Sequence, residues 1–425
     1  MKALVYTNPL EVQIQDRPEP VLVDGEVVLR IDAVGICGSD MHAYHGHDPR
    51  RKPGLVLGHE FCGTVVKSAF ASFETGLRVT GNPLITCGVC DYCVQGRNNL
   101  CSRRTMVGMT RPGAFSEYMS IPAASLIEIP QDMPAIQAAL TEPAATALHA
   151  INMSLTAMAR PLPENRTLII GGGAIGMLAA LLLKTYGARG TVLAEVNPLR
   201  RESAEIHAGV VTYDPRTEQP EENGFDYVID AVGSKLTRVA ALNAVKPGGV
   251  IMHIGLQDWA SEIDMRKLTL AEITLLGTYT YTTADLRATV ITHSPNVAVE
   301  LAAHRHVDII VLGGRLFRHS MVNVGASVIE AASRFRADLF FLGVTGVHPE
   351  AGLSTGDAEE ADVKRALHAR AAETVVLASS EKLLSASAFV IAPMKALSLL
   401  VVPGGTKPKT VAALRAGGVA VQKAV

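Results

Sequence analysis

Residues 168–178 read LIIGGGAIGML, three apolar residues, a run of glycines and the start of an apolar helical pattern. Gly171, Gly173 and Gly176 stand in GxGxxG spacing between strand and helix. There the first glycine permits a tight turn and the second lets the backbone approach a pyrophosphate. The third allows close strand–helix packing, with phosphates resting on the helix N-terminus. The pattern alone is weak. It gains weight because Glu195 closes the next strand, near the distance expected of a carboxylate that bonds a ribose hydroxyl. That carboxylate would repel a 2′-phosphate, so NAD is expected in preference to NADP. Arg200 and Arg201 temper this, because a solvated helix start and an adenine-side contact fit them equally.

The glycine turn opens a longer alternation. TLIIGG, TVLAEV, VVTYD, FDYVIDAVG, GGVIMHIGL and ITLLGTYTY are apolar strands with helical stretches between them. They predict a doubly wound parallel sheet of Rossmann type over 151–285. Upstream, RPLPENRT (160–167) is a Pro-containing break. Residues 1–150 are mostly β, with stretches such as EVVLRIDAVG (26–35) and GTVVKSA (63–69) broken by Gly, Pro and Asp turns. A helix is expected to begin near Pro134 and run through TEPAATALHAINM. Past Val290 the alternation continues through VITHS, VDIIVLGG, ADLFFLGVTG, TVVLASS and LSLLVVPG. One sheet of that size would be unusual, so 286–425 is read as a third α/β domain. The fold class is α/β multidomain.

Composition narrows the function classes. The chain has 425 residues, too many for one ordinary core, with 48% apolar and 19% charged residues. Its 39 basic and 41 acidic side chains leave a net charge of −2, which gives no reason to expect a nucleic-acid or membrane partner. MKALVYTN alternates like a strand and shows no secretory signal. Four of the six cysteines crowd into residues 87–101, wrong for a disulfide framework in a chain of this size. A cytoplasmic metalloprotein is expected.

In CGVCDYCVQGRNNLC (87–101), Cys87, Cys90, Cys93 and Cys101 have the spacing that lets thiolates converge on one ion. Zinc held by four sulfurs has no open position and is structural. An iron–sulfur cluster competes for the same ligands, and a redox pair or a cluster of buried thiols is the bland alternative. Upstream, GICGSDMH supplies Cys37, Ser39, Asp40 and His42, and GHE supplies His59 and Glu60. One thiolate, one imidazole and a carboxylate would make a three-ligand metal site with an open position. Singly, Cys37 is as well read as a small core residue and His59 as a hydrogen-bonded interior histidine.

Together, CGSDMH, LVLGHEFCGTVV, the four-cysteine lobe, TEPAATALHA and the glycine turn make residues 1 to about 285 resemble the zinc-dependent medium-chain alcohol/polyol dehydrogenases. The resemblance implies a GroES-like catalytic domain (1–150) carrying a structural zinc lobe (84–104), followed by the NAD-binding domain. It implies two zinc ions per chain, one catalytic and one structural. Cys37, His59 and Glu142 of the TEP motif would hold the catalytic zinc, with Glu60 beside it as an alternative ligand or a neighbour. Asp40 would orient the His59 ring. Ser39 would accept the substrate hydroxyl proton and His42 pass it to solvent. Gly233 in DAVGS, with HIGL (253–256), would line the nicotinamide pocket. Cys62 is read as core packing. The resemblance puts His45, His47, Arg50 and Arg51 on the substrate side, where a solvated loop is the favoured reading over a greeting for a phosphorylated or acidic polyol.

Residues from about 290 resemble a different family, the sensor domain of DeoR-type regulators. VITHSPNVA, IIVLGGRLF, ADLFFLGVTGVHPEAGLSTGDAEEADVKR and VVLASSEKL carry the likeness. It implies an isomerase-like α/β fold and a sugar-phosphate ligand, with Gly343, Asp357, Glu360 and Lys382 in pocket-type motifs, although a turn glycine, a helix cap or surface charge explains each equally well. No helix-turn-helix precedes Val290, so DNA is not an expected partner, and the domain's Gly-Thr-Thr phosphate loop is missing. The dehydrogenase part also lacks its usual return segment, so the seam is expected between Thr283 and Val290, with both neighbours incomplete and catalytic geometry loosened. The leading expectation is hydride transfer between a secondary alcohol or polyol and NAD by a homo-oligomer. A non-catalytic sugar-phosphate-binding relic is the competing one.

Overall fold

The computed structural model describes residues 1–70, 72–286, 288–302 and 307–424. The chain divides into two compact units, Met1–Arg287 and Ala288–Val425.

The N-terminal part of the first unit is built on a five-stranded antiparallel sheet. In spatial order its strands are Leu126–Glu128, Arg78–Gly81, Glu60–Ser68, Glu26–Gly35 and Tyr118–Pro122. Val27, Leu29, Phe61, Val65, Val79 and Ile121 are shut off from water between its turns. One feature of register matters for function. Gly35 pairs with Glu60, so the chain leaving one strand toward Cys37 and the chain entering its neighbour from His59 emerge side by side. Cys62 is fully buried with Ile129, Ala138 and Ala139, as core packing requires.

The six apolar stretches that follow all form strands, and all pair in parallel. Numbered along the chain they are Arg166–Ile170, Gly190–Ala194, Val211–Tyr213, Phe225–Asp230, Val245–His253 and Thr274–Gly277. Their spatial order is third, second, first, fourth, fifth, sixth, the doubly wound order with its switch point beside the first strand. Alternate residues serve opposite faces. Ile169, Ile229 and Met252 pack in one core cluster, and Leu168, Val228 and Ile251 in the other. Two-sided burial explains why these strands read as unbroken apolar runs.

The helix expected from Pro134 is two helices, Ala135–Ala139 and Thr141–Leu155, with Leu140 between them. Beyond the sixth strand the resemblance implies a helix starting at ADLRA (284–288), and the described residues there do not form a long one. Thr282 and Asp285 form a capping box, but the turn Thr283–Asp285 ends after three residues, and a strand, Ala288–Thr292, starts almost at once.

The second unit has four parallel strands, in the order Ala337–Phe341, Ala371–Leu377, Leu399–Val402, Val421–Lys423. Ala288–Thr292 and Val307–Val311 form a separate parallel pair. The unit also holds an antiparallel sheet of Gly346–His348, Gly352–Thr355 and Phe389–Ala392, and a hairpin of Arg315–Phe317 with Val322–Val324. Simple strand–helix alternation did not anticipate these. The HPEAG turn makes the first of them: Nδ1 of His348 accepts from the backbone of Glu350 and Ala351 at 3.2 Å, and Gly352 takes φ 78°. Among the described residues no helix is long and apolar enough to cross a membrane.

Candidate metal and dinucleotide centres

The helix Gly38–Tyr44 starts at Cys37, and Asp40 holds that start in place. Its Oδ2 accepts from the Cys37 backbone at 3.1 Å, and Oδ1 from the Gly58 backbone at 3.4 Å. Oδ1 also faces Nδ1 of His59 at 3.6 Å, an ion-pair separation too long for a hydrogen bond. One buried carboxylate therefore ties together the two segments that the sheet register delivers.

The atoms of Cys37, His59 and Glu60 that could bind a metal all lie within 4.8 Å of one another. His59 and Glu60 are 2% and 5% exposed. Glu60 reaches this place because residue 35 is glycine, where a Cβ would collide with the Glu60 carboxylate. Glu142 is 6% exposed and interacts with His59 and Glu60, yet it stands outside the tight trio. Of the two carboxylates, Glu60 completes the close trio with Cys37 and His59, and Glu142 interacts with His59 and Glu60 from outside it. Burial pushes the Glu142 carboxyl up to about 7 and also raises Glu60. Two carboxylates in a dry pocket resist ionising together unless a cation joins them, so the donor set suits a divalent ion.

Ser39 is held by a residue whose role the sequence did not reveal. Arg51 donates to the Ser39 hydroxyl at 3.0 Å, to Asp48 at 2.8 Å and to the Gly108 carbonyl at 3.2 Å, and is only 3% exposed. The solvated-loop reading is therefore wrong for Arg51, which is an internal strut. It is right for Arg50, whose side chain is 56% exposed and pairs with Asp48. His42 is half-buried, its ring 6.3 Å from that of His47. Desolvation first, and then His47, hold it below the usual imidazole range.

The lobe cysteines meet as one group. Their sulfurs lie 3.5 Å apart for Cys90–Cys93 and Cys87–Cys101, and 3.9 Å apart for Cys87–Cys93. Four thiolates tetrahedral about zinc at ordinary bond lengths would sit roughly 3.8 Å apart. All four sulfurs fall within 4.8 Å of one another, which suits one ion better than a cluster with its ligands spread over several irons. None of the six cysteines is in a disulfide.

The glycine turn behaves as its spacing requires. Gly171 has φ 100°, a Cβ on Gly176 would strike the Gly171 carbonyl, and Gly173 faces open space. That opening would admit a pyrophosphate. Glu195 closes the second strand, 6% exposed, accepting from the backbone of Gly172 at 2.7 Å and Asn197 at 2.8 Å. Arg200 reaches toward it at 3.8 Å with its side chain 58% exposed, whereas Arg201 turns inward to the Glu195 carbonyl at 2.6 Å. Gly233, φ 73°, packs against the Gly255 carbonyl, so the DAVGS and HIGL loops cross in contact at the strand ends.

In the second unit, Asp357 caps the helix Ala358–His368, accepting from the Glu360 backbone at 2.9 Å. Glu360 pairs with Lys364 at 2.9 Å, both buried. Lys382 lies in the short turn Ser380–Lys382, and Gly343 has open space where a side chain would be.

A parallel dinucleotide sheet joined to an antiparallel domain with a Cys/His/Glu centre and a four-thiol lobe defines a class, and the chain belongs to the zinc-binding dehydrogenase family. The alcohol dehydrogenase GroES-like domain matches residues 23–131, and the zinc-binding dehydrogenase domain matches 174–294. The DeoR C-terminal sensor domain matches 274–403, sharing 274–294 with its neighbour. An Escherichia coli (strain K12) relative, L-galactonate-5-dehydrogenase, is 32% identical over 67% of this chain and 85% of its own. L-threonine 3-dehydrogenase of Chelativorans sp. (strain BNC1) is 33% identical over 66% of this chain and 83% of its own. A solved zinc-binding dehydrogenase from Sinorhizobium meliloti 1021, bound to NADP, is 28% identical with a TM-score of 0.61, over 73% of this chain and 98% of that one.

Proposed function

We propose that this zinc-binding dehydrogenase oxidises a secondary alcohol of a polyol or hydroxy acid, with NAD as acceptor, at a centre formed by Cys37, His59 and Glu60 with Glu142 beside them. The carrying observation is the convergence of a thiol, an imidazole and a carboxylate in a buried pocket. When bound, zinc supplies Lewis acidity that makes the alcohol proton easier to lose, and the nicotinamide accepts the hydride. The protein does the rest. Asp40 faces the Nδ1 side of the His59 ring as its counter-charge and leaves Nε2 for the centre. Ser39, held by Arg51, receives the hydroxyl proton, and half-buried His42 carries it toward solvent. Gly173 leaves room for the pyrophosphate, and Gly171 and Gly176 shape the turn. Glu195 favours a ribose 2′-hydroxyl over a 2′-phosphate, while exposed Arg200, 3.8 Å away, works against that preference. Cys87, Cys90, Cys93 and Cys101 hold a structural zinc.

Free thiols in this number suit a reducing, cytoplasmic setting, and a homo-oligomer is the proposed assembly. For the second unit, the sensor-domain match supports a sugar-phosphate ligand, to be sought as a rise in its melting temperature with sugar phosphates but not with NAD. The test of the dehydrogenase reading is NAD reduction across a panel of polyols, hydroxy acids and threonine. Turnover that Cys37→Ser abolishes while NAD binding persists is expected. A Cys37→Ser variant with unchanged turnover overturns the assignment.

A further inference from the structure

The metal pocket is approached by a residue from the far end of the first unit. Tyr281 stands four positions past the sixth strand of the parallel sheet, Thr274–Gly277. It is 1% exposed, and its hydroxyl, which no hydrogen bond of ordinary geometry satisfies, interacts with Glu142. The acidic groups beside that hydroxyl are Glu142 and then Glu60. A buried hydroxyl left unpaired costs about 1–3 kcal/mol, and buried tyrosines ordinarily find an acceptor. An ionised carboxylate is an acceptor on both oxygens, so Tyr281 and Glu142 are complementary groups.

The backbone pays strain to bring the phenol here. Thr280 has φ 47°, a left-handed conformation that β-branched residues avoid. The Thr278 and Thr280 hydroxyls are buried without hydrogen-bond partners. Such strain, about 1–3 kcal/mol, persists only where the surroundings hold it. Here the Tyr279 carbonyl accepts from Asn99 of the cysteine lobe at 2.9 Å, and Asp285 pairs with His149 at 2.9 Å.

We propose that Tyr281 is a positioning residue of the metal centre, its phenol donating to the Glu142 carboxylate and fixing that group against the Cys37–His59–Glu60 cluster. The inference rests on the metal-centre reading above. Glu142 is thereby oriented by the strand exit, and the order of that exit sets how firmly the centre holds its ion.

Cobalt(II) is a suitable probe. The full-length chain is stripped of metal and reloaded with Co²⁺, and its visible absorption and its loss of cobalt to a chelator are recorded for wild type, Cys37→Ser, Tyr281→Phe, Glu142→Gln and the double variant Tyr281→Phe/Glu142→Gln. Wild type should show an absorption component that Cys37→Ser removes. Tyr281→Phe should shift that component and weaken cobalt retention about 10- to 100-fold, the usual range for an outer partner of a metal ligand. Cobalt in the four-thiol lobe should stay. Phenylalanine fills the same space, so a packing role would leave both readouts unmoved. In the double variant the two losses should be less than additive. A Tyr281→Phe spectrum and retention identical to wild type overturns the inference and leaves the metal-centre reading standing. Strictly additive losses do the same. A wild-type chain with no Cys37-dependent absorption overturns the reading, and the inference with it.

Discussion

Arg51 is a charge sealed inside the protein, spanning Asp48, the Gly108 carbonyl and the Ser39 hydroxyl. Removing one partner of a buried ion pair leaves the other uncompensated. Arg51→Met should therefore destabilise the first unit by about 3 kcal/mol and reduce turnover by freeing Ser39, as denaturant unfolding and steady-state rates would show. Arg50→Met, at an exposed site, should cost under about 1 kcal/mol. Sequence alone could not separate these neighbours, because burial of a basic pair in a polar loop has no local signature. The candidate metal donors were easier to single out: four cysteines at fixed spacing have few other uses, and Cys37 and His59 stood out through the family resemblance. What spacing could not decide is which carboxylate completes the trio with Cys37 and His59, since that depends on Gly35 lying under Glu60. His42 carries a pH prediction. Burial and His47 favour its neutral form, so it remains able to accept a proton below the ordinary imidazole value of 6.5. The acid limb of kcat/KM that disappears in His42→Ala should lie below pH 6.5. A limb above that value would remove His42 from the proton path.

At the scale of elements, the Gly35–Glu60 pairing places Cys37 beside His59, and the strand exit 278–286 supplies Tyr281. All six parallel strands were readable because two-sided burial leaves unbroken apolar runs. The exit was not, since ADLRA has the cap and composition of a helix start. The turn Thr283–Asp285 stops because the strand Ala288–Thr292 claims the residues a helix would need. Asp285 then serves another purpose, accepting from Asn152 at 3.1 Å and pairing with His149. Asp285→Ala should release the exit and cost about 1–3 kcal/mol, leaving buried donors unpaired. Urea unfolding of the first unit measures the cost. Hydrogen exchange around Tyr279–Tyr281 should accelerate in the same variant, and unchanged protection there would show that Asp285 does not anchor the segment.

At the scale of the whole molecule, the two compact units should respond differently to pH. His293 of the second unit is pushed down to about 4 by burial and by Lys364, only partly opposed by Glu360. Its folded pKa lies below the unfolded value of 6.5, so the unfolded state binds more protons between the two. The second unit should hold its full stability above pH 6.5 and lose up to about 3 kcal/mol as pH falls toward 4. Exchange protection of the helix Ala358–His368, corrected for intrinsic rates, would show the loss, and His293→Gln should flatten it. The first unit brings its candidate metal donors together and pins its strand exit. The central claim is that this unit holds two zinc ions with separate ligand sets, and elemental analysis of the purified full-length chain tests it most directly. Two zinc ions per chain in wild type and one in Cys37→Ser are predicted; equal zinc in both proteins would contradict the account.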